Sequence, residues 1–309
     1  MVYLGLVKPV SLLSRSLKYC FGPRACIRKQ AASDAPLISV VIATYNWSSV
    51  LRFAIHSVLW QSEQDFEILV VGDCCTDDSQ AVCASFGDSR IRWHNLEKNS
   101  GHQSAPNNCG IKMARGHYVA FLGHDDVWHP EHLRVTLATL RSAECEMAVA
   151  LMEMIGPEGS NYRVLSGYPE EVANPRAVLP PSGMLIRREA LERSGGWSDY
   201  RTTSLNPGLD FLLRLRNTGS RMVATGELTV FKFNSALRKN SYRERPCHEQ
   251  AAYVRCIERD RWFTLREAMR IIILRARRLP VHAPDFSQPP NADALGWEVS
   301  QFRKYRGLD

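Results

Sequence analysis

The sequence has no apolar run long enough to cross a bilayer, which leaves no expectation of a spanning helix. It has no CxxC pair, so its nine cysteines do not read as a metal or redox framework; free thiols in a reducing compartment are expected. The positive residues form no stripe through the middle of the chain, so a nucleic-acid partner is not expected, and the net charge of +7 suits anionic substrates or an anionic membrane surface. GxGxxG is missing after the first apolar run, where Thr44-Tyr45-Asn46-Trp47 stands instead, which removes a Rossmann dehydrogenase. Neither the P-loop, nor GxSxG, nor HExxH occurs. The opening stretch MVYLGLVKPVSLLSRSLKYC lacks the uninterrupted apolar centre of a secretion signal. It reads as an amphipathic surface helix or a solvated extension.

What the chain does contain is organised around GHYVAFLGHDDVWHP, Gly116–Pro130. Tyr118–Leu122 is an apolar, aromatic run too short for a helix and typical of a buried strand. It stops at Gly123, and the adjacent carboxylates Asp125 and Asp126 follow, flanked by His124 and His129. Carboxylates at the carboxyl end of a buried strand lie where open α/β sheets bind ligands, and hard oxygen ligands suit a divalent cation on a phosphorylated substrate. The same residues also fit an ordinary Asp-rich turn before a helix near Pro130.

The flanking pattern favours the first reading. Leu37–Thr44, Phe66–Val71 and Ile91–His94 read as strands. Helices are expected over Ser48–Trp60, Thr76–Phe86 (opened by Thr76, with Asp77 and Asp78 in its first turn) and His102–Arg115. Such a β-α-β-α-β rhythm implies a mostly parallel sheet with right-handed crossovers. Tyr45, Asn46, Asp73, Asn99 and Asp125 then all fall at its ligand-binding edge. Glu146–Ile155 is expected as a further strand, Gly156–Pro181 as a connection, Met184–Ile186 as a strand and Arg187–Gly196 as a helix.

The stretches SVVIATYN (Ser39–Asn46), ILVVGDCCTDDS (Ile68–Ser79), NSGHQSAPNNCGIKMARGHYVAFLGHDDVWHPEHL (Asn99–Leu133) and PPSGMLIRREALERSGGW (Pro180–Trp197) together resemble family 2 of the inverting glycosyltransferases, from about Pro36 to Phe233. The resemblance implies the GT-A fold of nucleotide-diphospho-sugar transferases, with a mostly parallel central sheet and helices on both faces. It divides the chain into an extension (1–35), a catalytic domain (36–235) and a basic helical extension (236–309).

It further implies a nucleotide-diphospho-sugar donor, UDP-linked by default. Thr44, Tyr45, Asn46, Asp73, Asn108, His124 and Asp125 would lie at the donor, with Asp73 on the base edge. A Mg²⁺ or Mn²⁺ ion held by Asp125 would bridge the diphosphate. The chain departs from the family's acids at Gly72, Gly123 and Gly208, and carries Asn107 where an Arg is usual. Trp197 and Asp199 fall on the acceptor side, where the Trp197 ring would stack on a sugar or fill the core. For the base that takes the acceptor proton, Asp210 is the first candidate, with Asp199 or no base as alternatives.

Beyond Ser235 the chain turns basic, and Glu249–Leu279 reads as helical with interleaved arginines, followed by an irregular tail from Pro280. This implies either peripheral contact with a membrane's inner face or a helix packed on the catalytic domain. The implied acceptor is a saccharide or lipid-linked hydroxyl in polysaccharide or glycolipid synthesis, at a cytoplasmic location. A non-catalytic relative that binds nucleotide sugars is the rival reading, supported by the missing acids.

Overall fold

The computed structural model describes residues 9–20, 35–160, 162–276 and 306–308. Helix α1 (Pro9–Leu17) precedes β1 (Ile38–Thr44), α2 (Ser48–Leu59), β2 (Phe66–Gly72), α3 (Ser79–Ser85), β3 (Ile91–Asn95), α4 (Ser104–Met113) and β4 (Tyr118–Gly123). Next come β5 (Val127–Trp128), α5 (His132–Ser142), β6 (Met147–Ile155), β7 (Arg163–Ser166), α6 (Pro169–Ala173), β8 (Met184–Arg187), α7 (Arg188–Ser194) and α8 (Pro207–Asn217). Strand β9 (Met222–Phe233) and helices α9 (Ser241–Glu244), α10 (His248–Arg259) and α11 (Phe263–Ala276) complete the described elements.

The strands form one sheet in the order β3-β2-β1-β4-β8-β6-β9-β5, with β7 on β6. Four neighbours, β3, β2, β1 and β4, run parallel, as the β-α-β rhythm requires. The other half is mixed: β8 is antiparallel to β4 and β6, β5 is antiparallel to β9, and β6 and β9 are parallel. Strand β1 is buried on both faces, which explains why it is mostly β-branched and apolar. Val40 and Ile42 pack with Leu51, Ile55 and Val58 of α2 on one side, while Val41 packs with Leu69, Val119 and Phe121 on the other.

Four expectations about elements need correction, the first being the connection Gly156–Pro181, which carries β7 and α6. Helix α3 starts at Ser79 rather than Thr76, because the Asn46 Oδ1 takes the backbone N–H groups of Thr76 and Asp77 and holds them in a loop. The helix expected over Glu249–Leu279 is two helices. Asp260 leaves helical backbone (φ −118°, ψ 103°), and its Oδ1 accepts from Trp262 N at 2.9 Å, starting α11 afresh. The twelve-residue β9 was not anticipated, since Gly226, Glu227 and Lys232 interrupt its apolar pattern. Gly226 takes φ +68°, and the β6–β9 register shifts near it. The tail from Pro280 lies outside the described residues, apart from 306–308.

Helix α1 docks by Leu12, which is buried with Leu151, Leu165, Leu228, Ala268 and Ile271. Its apolar side is therefore covered by β6, β7, β9 and α11. No described helix is long and apolar enough to cross a membrane, and the eight described cysteines are free.

Candidate active site

The register of the parallel half fixes where the expected acids meet. Thr44 pairs with Gly72 and Ala43 with Gly123, so β1, β2 and β4 end together and the loops after them share one edge of the sheet. Asp73 follows β2, with its N–H bonded to Thr44 O at 2.8 Å. Asp125 follows β4 two residues beyond its end.

The two adjacent carboxylates after β4 have different work. Asp126 is fully buried: its Oδ1 accepts from Phe233 N at 3.0 Å, and its Oδ2 accepts from Lys232 Nζ at 3.0 Å and from the Ser182 hydroxyl. Ser182 Oγ accepts in turn from Gly123 N at 3.0 Å, and Ser182 O takes the Trp128 indole N–H. Burial opposes the Lys232 charge, but Asp126 and Asp125 outweigh it and hold the ammonium above its ordinary value. Asp126 therefore locks the turn onto β9. Asp125, only 7% exposed, has no hydrogen bond or ion pair on its carboxylate among the described residues, while its backbone oxygen is fixed by Gln250 Nε2 at 3.1 Å.

His124 lies beneath them. Its Nδ1 is 2.8 Å from Thr44 Oγ1 and its Nε2 3.3 Å from the Tyr242 hydroxyl. Burial lowers its pKa to about 4, with Asp126 opposing, so the imidazole is neutral near pH 7. Both ring nitrogens are thus engaged within the protein. Tyr242 closes this side: its ring is 5.1 Å from Trp47, 5.9 Å from His124 and 6.3 Å from Tyr45. Lys232, Tyr242 and Gln250 escaped sequence reasoning. They lie more than a hundred residues from Asp125, two of them in the stretch assigned to the basic extension.

Several residues expected at the donor tie loops together at this edge. Asn46 sits at φ +42°, which Asn tolerates better than most residues, and its side-chain oxygen takes the two N–H groups after Cys75. Asp73 spends its oxygens on the N–H groups of Ser100 (2.8 Å) and Gly101 (3.1 Å), while Asn99 Nδ2 reaches Asp73 O. Asn108 pairs reciprocally with the backbone of Trp197, at 2.7 and 2.8 Å. A Cβ on Gly196, at φ +70°, would meet Asn108 Oδ1 at 2.6 Å, so the second glycine of the Gly-Gly-Trp turn is required for this brace.

On the far side, Trp197 is a core residue. Its ring stacks on Phe211 at 4.2 Å, meets Phe121 edge-on at 5.7 Å and is 3% exposed, leaving no face for a sugar. Asp199 is exposed and paired with Arg201. Asp210, in the first turn of α8 behind the Asn206 cap and Pro207, accepts from the Ser198 hydroxyl (2.6 Å) and from Arg214 Nε (3.0 Å), both on Oδ2. Arg201 Nη2 bonds Ser100 O at 2.7 Å, so the loop carrying Ser198 and Asp199 joins the Asp210 helix to the loop clasped by Asp73.

The donor set bears on a divalent cation as follows. Asp125 offers two free oxygens at the open end of β4, and Mg²⁺ is commonly held by one or two carboxylates, substrate phosphates and water. A carboxylate side chain at position 123 would not fit as the turn stands, since a Cβ there would lie 2.8 Å from Asp126 Oδ2. Among the described residues no three His, Cys, Asp or Glu side chains gather to hold a metal, so a cation at Asp125 would take its remaining ligands from the substrate and water.

The parallel half of this mixed sheet thus ends beside Asp73, Asp125 and Asp126, at the strand ends where open α/β sheets bind ligands. Residues 39–205 match the model for glycosyl transferase family 2, more than half the chain, and the chain belongs to that family. It is 33% identical over 163 residues to the succinoglycan biosynthesis protein ExoO of Rhizobium meliloti, covering 52% of this chain and 46% of that protein. It is also 33% identical over 127 residues to the putative teichuronic acid biosynthesis glycosyltransferase TuaG of Bacillus subtilis (40% and 50%). The chain thus spans about half the length of these relatives. Among solved structures, S. aureus TarS 1-349 with UDP-GlcNAc superposes with a TM-score of 0.54 at 18% identity, over 75% of this chain and 71% of that one. The mannosyltransferase PcManGT from Pyrobaculum calidifontis, with GDP-Man and Mn²⁺, gives 0.52 at 15% identity over 97% and 89%. At these identities the likeness shows the fold, which is of the GT-A kind.

Proposed function

We propose that the protein is an inverting glycosyltransferase that moves a sugar from a nucleotide-diphospho-sugar, UDP-linked, to an acceptor hydroxyl in polysaccharide or glycolipid synthesis. The observation that carries this is the unpartnered Asp125 carboxylate at the shared end of β1, β2 and β4, beside a second acid wholly committed to the fold. The biosynthetic relatives and the UDP-sugar complex of TarS support the same class of donor and acceptor.

Thr44 and Tyr45 border the nucleoside; Asp73 shapes the loop over it, with its remaining lone pairs toward the base. Asp125 would hold Mg²⁺ or Mn²⁺ with the diphosphate, a reading supported by the Mn²⁺ complex of PcManGT. Such a cation supplies charge neutralisation for the departing nucleoside diphosphate. The acceptor oxygen attacks the anomeric carbon, the bond from that carbon to the phosphate oxygen breaks, and the acceptor proton passes to the Asp210 carboxylate. The Arg214 and Ser198 contacts aim that carboxylate.

The reading includes cytoplasmic placement at a membrane's inner face. Trp262, Met269 and Ile273 are exposed at helical spacing, with Arg266 and Arg270 between them, which suits an anionic surface. A non-catalytic, donor-binding relative is the second reading, favoured by glycine at 72, 123 and 208. A panel of UDP-, GDP-, CMP- and dTDP-sugars incubated with Mn²⁺ separates the two. The enzyme releases nucleoside phosphate from one of them and loses this in Asp125→Ala; binding without any release supports the second reading.

A further inference from the structure

The turn 198–202, between Trp197 and helix α8, touches two parts of the site at once. At its head Trp197 is fixed by Asn108 and by the stack on Phe211. Ser198 gives its hydroxyl to Asp210 Oδ2 at 2.6 Å. Further along the same turn, Arg201 Nη2 donates to Ser100 O at 2.7 Å, and the Tyr200 ring lies 5.5 Å from His102. Burial lowers the His102 imidazole to about 4, so near pH 7 it meets that ring uncharged. The N–H of Ser100 is taken by Asp73 Oδ1 at 2.8 Å. Ser100 is therefore gripped from both sides, by the carboxylate after β2 and by the guanidinium of the turn.

Arg201 is aimed by its own neighbours. Its N–H donates to Asp199 Oδ1 at 2.9 Å, its Nη1 reaches Asp199 Oδ2 at 3.3 Å, and its guanidinium carbon stands 4.9 Å from the Tyr200 centroid. The Thr202 hydroxyl closes the turn on Asp199 O at 2.9 Å. Arg201 and Asp199 are both half-exposed, and exposed pairs of this kind contribute little to the stability of a fold. A tie this weak is no scaffold; it persists while Ser100 stays in place. Whatever orders the loop at Ser100 favours the tie, and the tie favours the turn that carries Ser198 to Asp210. Such coupling is reciprocal.

We propose that Arg201 is a positioning residue: a nucleoside diphosphate that orders the loop clasped by Asp73 also orders, through the Arg201–Ser100 bond, the turn that sets Asp210. This rests on the donor reading given above and adds how an occupied donor site prepares the proton acceptor.

The test is amide hydrogen exchange on the full chain, for the wild type, Arg201→Ala and Arg201→Lys, with and without saturating UDP in excess Mg²⁺. GDP replaces UDP if the wild type prefers it. In the wild type UDP should slow exchange at 99–103 and, by about fivefold or more, at 198–205. In Arg201→Ala the slowing at 99–103 should remain and that at 198–205 should vanish, at an unchanged melting temperature. Arg201→Lys, which keeps one donor for Ser100 O, should recover part of the response. A merely structural arginine would speed exchange at 198–205 equally with and without UDP and leave the UDP-induced difference intact. That intact difference in Arg201→Ala overturns the proposal while the donor reading stands. So do a wild type in which UDP slows only one of the two segments, and loss of all UDP binding in Arg201→Ala. A wild type that binds no nucleoside diphosphate overturns both.

Discussion

Asp125 and Asp126 are indistinguishable in sequence and opposite in role. Asp126→Asn leaves the Lys232 ammonium against a neutral amide in a buried turn, and a loss of about 3 kcal/mol in urea unfolding is expected. Asp125→Asn should leave stability within about 0.5 kcal/mol, because no described group depends on its carboxylate. What separates the pair is Lys232 and Phe233, more than a hundred residues later, and no local pattern around Asp125 reports them. The histidines make a second prediction at this scale. Burial lowers His132 from 6.5 to about 3 and His124 to about 4, and both rings are enclosed. The unfolded chain takes up protons below pH 6.5 while the folded imidazoles stay neutral. Stability is therefore full above pH 6.5 and falls as pH drops toward 4, by about 1.4 kcal/mol per unit for each ring. His132→Asn, followed by urea melts from pH 7.5 to 4.5, should flatten that slope by one ring's share.

Elements read well where they are regular and poorly where a distant partner defines them. The strands β1, β2 and β4 carry mostly apolar runs, broken only by Ser39 and Glu67, because they are buried on both faces, and so they are legible. Strand β9 was not, since it bends at Gly226 and alternates around Lys232, whose ammonium is needed under Asp126. The Gly-Gly-Trp turn is legible by resemblance, but the sequence leaves the Trp197 ring between a sugar and the core; the Phe211 ring stacked on it, which decides for the core, lies fourteen residues on, across a turn. That turn gives a direct check on packing. Gly196→Ala combines φ +70° with a Cβ 2.6 Å from Asn108 Oδ1, and a loss of about 2 kcal/mol by urea unfolding is expected. Gly219→Ala, at φ +80° but with open space around its Cβ, should cost about 1 kcal/mol.

For the whole molecule, the register of β1, β2 and β4 brings the acidic segments after β2 and β4 to one edge, while α1 and α11 pack together as a flank on β6, β7 and β9. The basic, apolar face of α11 is exposed on that flank, and it should co-sediment with vesicles containing anionic lipid and release at high salt. Trp262→Asp with Ile273→Asp should abolish co-sedimentation without altering nucleoside diphosphate binding. The account as a whole turns on the ends of β1, β2 and β4 holding a nucleoside diphosphate through Asp125 and a divalent cation. Equilibrium titration of UDP and GDP, with Mn²⁺ and with EDTA, on the wild type and Asp125→Ala tests this most directly. The account predicts saturable, Mn²⁺-dependent binding of one diphosphate to the wild type, and loss of the Mn²⁺ dependence in Asp125→Ala at unchanged melting temperature. Binding of neither diphosphate by the wild type, or the same Mn²⁺-dependent binding in Asp125→Ala, would contradict it.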